Sequence, residues 1–158
     1  HPRGLVPVLE IDGISLTQSL AIVEYLDETR GLGLLPDNAV ERARVRAIAH
    51  AIAMDIHPVC NLGTAKHAVG QSDGAITMEG WMQHFIGPGL AAVEQMLEGG
   101  DHCHGESVTL ADLCLWPQLY NAERWGVDLA PMPRIRKVAK TLAEIPAFAA
   151  AHPDRVAP

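Results

Sequence analysis

The sequence contains no run of about 18 apolar residues, the length a helix needs to cross a bilayer, so no membrane span is expected. It also lacks a basic stripe. Twelve lysines and arginines stand against 19 aspartates and glutamates, a formal charge of -7. Nucleic acid is therefore excluded as the expected partner, because there is no basic surface to displace backbone counterions. No signal-peptide pattern opens the chain. Its three cysteines, Cys60, Cys103 and Cys114, show no paired spacing. A disulfide framework is not expected, and a reducing, cytoplasmic compartment is. Internal repeats, low-complexity tracts and long β-branched runs are missing too.

What is present is apolar mass. Apolar residues make up 48% of 158, enough for the core of one ordinary domain or parts of two. Alanine is common, which tilts the chain toward helix. Val6 to Ile11 reads as a strand, Asp12-Gly13 as a hairpin turn, and Ile14 to Thr17 as the returning strand. A helix follows from Ser19, with Leu20, Val23 and Leu26 on one face, and Gly31 and Gly33 stop it. Residues 34–38 read as a linker. A boundary near residue 36 divides a first unit, 1–36, from an all-helical one, 37–158.

In the second unit Asn38 and Glu41 are spaced as a capping box. Ala47, Ile48, Ala51, Ile52 and Ile56 then make an apolar face that can seek a partner, and Pro58 interrupts it. Residues 68–75 read as a loop. Helices are predicted over Thr77–Glu98 with a kink at Pro88, over Thr109–Ala122 and over Pro133–Leu142, with a short last turn at Ile145–Ala151.

Three motifs carry candidate chemistry. Pro7 at the head of a strand can be cis. It either limits edge pairing or leaves the Val6 backbone open to an extended peptide. Gln18-Ser19 lies where strand passes to helix. A helix N-terminus holds carboxylates through free N–H groups and its partial positive charge, although a plain serine cap has the same appearance. Thr109-x-x-Asp112 is a capping-box variant whose task is structural. His102-Cys103-His104 has no second ligand pair at zinc-like spacing, and no metal site is expected.

The runs Leu5-Val-Pro-Val-Leu-Glu-Ile-Asp-Gly and Leu16-Thr-Gln-Ser-Leu-Ala-Ile-Val-Glu-Tyr-Leu26 resemble the second half of the glutathione-binding domain of glutathione transferases. Asp55-Ile-His-Pro-Val-Cys-Asn61, Ala111-Asp-Leu-Cys-Leu-Trp-Pro-Gln118 and Asn121-Ala-Glu-Arg-Trp-Gly-Val-Asp-Leu129 are similar to the zeta class, which comprises maleylacetoacetate and maleylpyruvate isomerases. The resemblance implies an α/β plus all-α fold: part of a thioredoxin-like domain, then a helical domain. It implies glutathione as cofactor, a maleyl-type keto acid as substrate and a homodimer. Glutathione contacts fall on Val6, Gln18, Ser19, His57, Asn61, Leu62 and Gly63, and the substrate carboxylate falls on Arg124. Pro7, Thr109 and Asp112 keep structural roles.

Two departures from the family pattern stand out. The family's Ser-Ser-Cys-like catalytic motif has no counterpart here and is expected upstream of His1. An Asn-Asn-Leu-Arg-like stretch reads Cys60-Asn61-Leu62-Gly63, without the arginine. In this family the reactive sulfur belongs to glutathione, so Cys60 reads as packing or pocket lining. The implied activity is glutathione-dependent cis–trans isomerisation. A general glutathione transferase and a non-catalytic binding module are the alternatives.

Overall fold

The computed structural model describes His1 and residues 4–156. Strands β1 (Val8–Ile11) and β2 (Ile14–Thr17) pair antiparallel, with Ile11 opposite Ile14 and Leu9 opposite Leu16. Asp12 and Gly13 both take positive φ, 52° and 77°, as a two-residue hairpin turn requires. The strand starts two residues later than predicted, because Pro7 has no N–H to give a ladder. The Val6–Pro7 bond is cis.

Helix α1 (Ser19–Arg30) ends as read from sequence: Gly31 is left-handed, and its N–H bonds back to the Asp27 carbonyl at 2.9 Å. Arg30 and Tyr25 both reach the turn carboxylate of Asp12, at 2.6 Å and 2.7 Å. The Arg30 hydrogen bond, then that of Tyr25, hold the Asp12 carboxyl below its ordinary range. Buried Asp27 accepts from the Leu34 and Leu35 amides, and the Leu34 carbonyl accepts from Leu110. Glu24 and Arg46 pair at 2.6 Å. The hairpin-and-helix unit is thereby fastened to the helices that follow.

Helix α2 (Ala39–His50) is capped by Asn38, whose side chain accepts from Val40 and Glu41. Glu41 does not reach back to complete the predicted box. Its carboxylate goes to Arg44 at 3.2 Å and to the His104 ring at 2.7 Å, partners that outcompete a neutral amide. The helix runs on into a π-helical turn over Ala51–Ile56, where the His57 N–H reaches five residues back to Ile52. Here the expectation of a partner-seeking face is corrected. Ile48, Ile52 and Ile56 point into the core, and Met54, 60% exposed, is the large apolar side chain that this segment leaves outside.

Helix α3 (Leu62–Gly70) occupies part of the predicted loop, which starts only at Gln71. Asn61 caps it, and Ala65 is fully buried. Helix α4 (Met78–Met96) carries Met82, Ile86, Leu90 and Val93 into the core, with Pro88 inside it. At Gly89 a Cβ would lie 2.5 Å from Ile56 Cγ1, so glycine lets the π turn pack against α4. Helices α5 (Leu110–Arg124), α6 (Pro133–Glu144), α7 (Pro146–Ala150) and α8 (Pro153–Val156) complete the fold. Prolines at their first positions start α6 and α7.

Before α5, the Thr109–Asp112 box closes as predicted. One Asp112 oxygen accepts from the Thr109 amide and hydroxyl, both at 2.8 Å, and the other accepts from the Cys103 amide at 2.8 Å. No helix among the described residues is long and apolar enough to cross a membrane.

Candidate functional site

Between β2 and α1, Gln18 sits at φ 72° and ψ 115°, a conformation that favours glycine and is strained for glutamine by about 1–3 kcal/mol. The turn makes Ser19 the first helical residue. No side chain caps this N-terminus. Its leading N–H groups and the exposed Ser19 hydroxyl form a donor set suited to a carboxylate. Val6 lies nearby, 92% exposed.

Val6, Pro7 and Ser19 line a cavity of about 360 Å³, closed on its far side by His57, Cys114 and Pro117. Those same three residues line a second cavity of about 350 Å³, which also takes in Cys60, Asn61, Leu62, Gln118 and Arg124. The two hollows therefore share a wall. One opens on the hairpin unit, and the other lies between the α3 start and α5. Pro117, inside α5 and on the wall of both cavities, has no N–H for the Leu113 carbonyl.

Of the residues that the resemblance assigns to glutathione, Val6 and Ser19 fall on the first cavity, Asn61 and Leu62 on the second, and His57 on both. Gln18 and Gly63 line neither. The Gly63 amide donates to the Asn61 side-chain oxygen at 2.9 Å, the bond that caps α3.

Arg124 ends α5 and lines the second cavity. Among the described residues it forms no ion pair, although Glu123 and Asp128 are close in sequence. Its guanidinium lies over Trp125, 5.6 Å from the ring centre. Trp125 is itself fixed, donating to Asn121 at 3.1 Å and accepting from Gln83 at 2.9 Å. The result is a permanent cation on a held aromatic platform, without a carboxylate to neutralise it.

The chain's own thiols are poor nucleophiles. Burial, then the Asp112 charge, pushes Cys114 up to about 11. Burial alone raises Cys60, and Cys103 is raised much further by burial and Asp112. Cys103 and His104 serve structure instead: one donates its amide to Asp112, the other pairs with Glu41. Thr109 and Asp112 line neither cavity.

Sequence reading missed Gln118. It is 2% exposed, lines the second cavity, and its amide nitrogen and oxygen both lack partners. The signal available was its place on the α5 face shared by Cys114 and Asn121. A larger hollow of about 490 Å³ lies between α5 and α6, lined by Trp116, Tyr120, Arg136 and Lys140 among others. It takes in none of the predicted site residues.

Comparison with known proteins gives the arrangement its context. Residues 1–28 match the glutathione S-transferase N-terminal domain and residues 79–149 the C-terminal domain. A maleylacetoacetate isomerase from Rhizobium meliloti (strain 1021) is 58% identical over 163 residues, covering 100% of this chain and 76% of that protein. The crystal structure of a maleylacetoacetate isomerase from Anaeromyxobacter dehalogenans 2CP-1, with glutathione bound in its active site, superposes with a TM-score of 0.89. It is 41% identical and covers 98% of this chain and 74% of that one. A holo maleylpyruvate isomerase, a bacterial zeta-class glutathione S-transferase, gives a TM-score of 0.91 at 37% identity, covering 98% and 76%.

Proposed function

The chain belongs to the glutathione S-transferase family, on its zeta-class maleylacetoacetate isomerase branch, and on that premise we propose that it isomerises a maleyl-type keto acid with glutathione as cofactor. The substrate is maleylacetoacetate or maleylpyruvate. The observation that carries the reading is the shared wall: the cavity lined by Val6 and Ser19 adjoins the cavity lined by Arg124 through His57, Cys114 and Pro117.

Glutathione fits the first cavity. The uncapped start of α1 and the Ser19 hydroxyl offer donors to its γ-glutamyl carboxylate. The exposed Val6 backbone can pair with its extended chain. When bound, glutathione supplies the sulfur nucleophile that makes rotation about the substrate double bond possible. This chain's residues bind and orient the two ligands. Ser19 and the first turn of α1 hold the carboxylate end, and His57 stands where the two ligands meet. Arg124 clamps the substrate carboxylate, and Pro117 of α5 lines the wall that the two cavities share. Cys60, Cys103 and Cys114 take no part, being unpaired and held as thiols. A reducing, cytoplasmic location goes with the same reading.

One observation favours a second reading. Gly63 stands where the family often has an arginine, and Arg124 is the one permanent cation among the described residues lining the second cavity. A weaker hold on a second carboxylate suits a transferase acting on other electrophiles.

The glutathione half is tested by calorimetry on the full-length gene product. Ser19→Ala should weaken glutathione binding roughly tenfold, about 1.5 kcal/mol for one hydrogen bond to a charged group. Equal affinity for both proteins would remove Ser19 from the site.

We also place the protein in a homodimer, with Met54 of the π turn as one exposed apolar side chain free to meet a partner. Light scattering of the full-length gene product should give twice the chain mass. A monomer at all concentrations tested would sink that assembly.

A further inference from the structure

Gln118 stands on α5, four residues after Cys114 and six before Arg124. The helix rises about 9 Å over those six residues, so the amide and the guanidinium meet different parts of one small ligand. A buried amide without partners destabilises a fold, and nearly all such groups in native proteins are satisfied by protein, water or ligand. The neighbours do not serve it. The Asn121 side-chain oxygen accepts from Trp125, and that of Asn61 accepts from Gly63.

An amide presents one kind of group at each end, N–H donors at Nε2 and an acceptor at Oε1. A ligand carboxylate only accepts, which would leave Oε1 orphaned, and Arg124 already suits that charge. A simple ketone likewise only accepts. A ligand that satisfies both ends must carry an acceptor and a donor close together. An enolised β-diketone does, with a keto oxygen and an enol hydroxyl two carbons apart. Maleylacetoacetate and maleylpyruvate share that group.

We propose that Gln118 is a specificity-determining residue whose amide reads the enolised β-diketone of the substrate, Nε2 donating to the keto oxygen and Oε1 accepting from the enol hydroxyl. The proposal rests on the reading of this cavity as the substrate site. It also explains why the cavity keeps an amide that the fold itself does not use. A hydrophobic wall would accept any carboxylic acid of similar size, whereas a site built to hydrogen-bond a ligand's polar groups rejects the analogue without them.

The test compares two acids of equal chain length in calorimetric titrations of the full-length gene product. Acetopyruvate carries the enolised β-diketone; valerate keeps the carboxylate and loses both oxygens. The wild type should bind acetopyruvate at least about tenfold more tightly. Gln118→Met should erase the preference, leave glutathione affinity unchanged, and hold or raise the melting midpoint, because it removes an unpaired buried amide. Gln118→Leu serves as a second variant should the methionine pack poorly. A preference that survives in both variants overturns the role of Gln118 and leaves the proposed function standing. A midpoint several degrees lower in both variants overturns it as well, since the amide then supports the fold. A fall in glutathione affinity reassigns the amide to the cofactor. If the wild type binds neither acid, the cavity is not the substrate site, and the proposed function falls with the proposal.

Discussion

Asp112→Ala should destabilise the protein by about 3–5 kcal/mol, a large part of the roughly 5–15 kcal/mol that holds a typical domain together. Asp112 is fully buried, and its two oxygens accept three hydrogen bonds, each of 2.8 Å. A helix cap on an exposed surface is worth about 1 kcal/mol. Here more is at stake. Removing the carboxylate leaves the Cys103 amide and the Thr109 amide and hydroxyl unpaired, and each buried donor so abandoned costs about 1–3 kcal/mol. It also unties the segment ahead of α5 from the helix that carries Gln118 and Arg124. Thermal denaturation should show a midpoint lower by roughly 10 °C for a chain of this size. Asp112→Asn keeps one acceptor and should recover part of the loss. If the alanine midpoint moves by a degree or less, the three hydrogen bonds are not holding the segment.

How much of this was legible in the sequence depends on how local the cause is. The hairpin could be read because Asp12-Gly13 supplies both positive φ values within two residues. The end of α1 could be read because Gly31 takes the left-handed cap, and the Thr109–Asp112 box because its partners are three residues apart. Helix α3 was missed because Gly63 and Gly70 argue against helix, whereas the Asn61 cap and the burial of Ala65, the latter set by packing that a local reading does not see, decide for it. The apolar stripe from Ala47 to Ile56 was visible, but periodicity does not say whether a stripe faces its own core or another molecule. Gly89 settles that here by admitting Ile56 against α4. For the site, the strand-to-helix turn pointed to Ser19 and the family resemblance to Arg124, yet the wall that joins their cavities is made by His57, just past the π turn, and by residues of α5. Gln118 was silent because an unpaired amide is recognised only once every potential partner has been placed.

Arg124→Ala should raise the Michaelis constant for a dicarboxylic maleyl keto acid at least about tenfold and lower kcat/KM by roughly 100-fold, or about 3 kcal/mol of lost binding. A guanidinium grips a carboxylate with two parallel hydrogen bonds, and a cation of that kind already resting on Trp125 has less freedom to lose on binding. A surface ion pair with Glu123 or Asp128, both close in sequence, would be worth at most about 1 kcal/mol. Neither pair forms, so the arginine has no structural partner that its removal would strand. Its replacement should accordingly leave the melting midpoint nearly unchanged. Arg124→Lys keeps the charge without the fork and should rescue only part of the activity. A neutral electrophile has no carboxylate to lose, so its turnover with glutathione should hardly change. Steady-state kinetics of the full-length gene product on both substrates decides the matter. Equal losses on both would mean that Arg124 shapes the site as a whole, and no loss on either would mean that the cation is idle. In both cases the anchor is elsewhere, and the second reading, a transferase for other electrophiles, takes precedence.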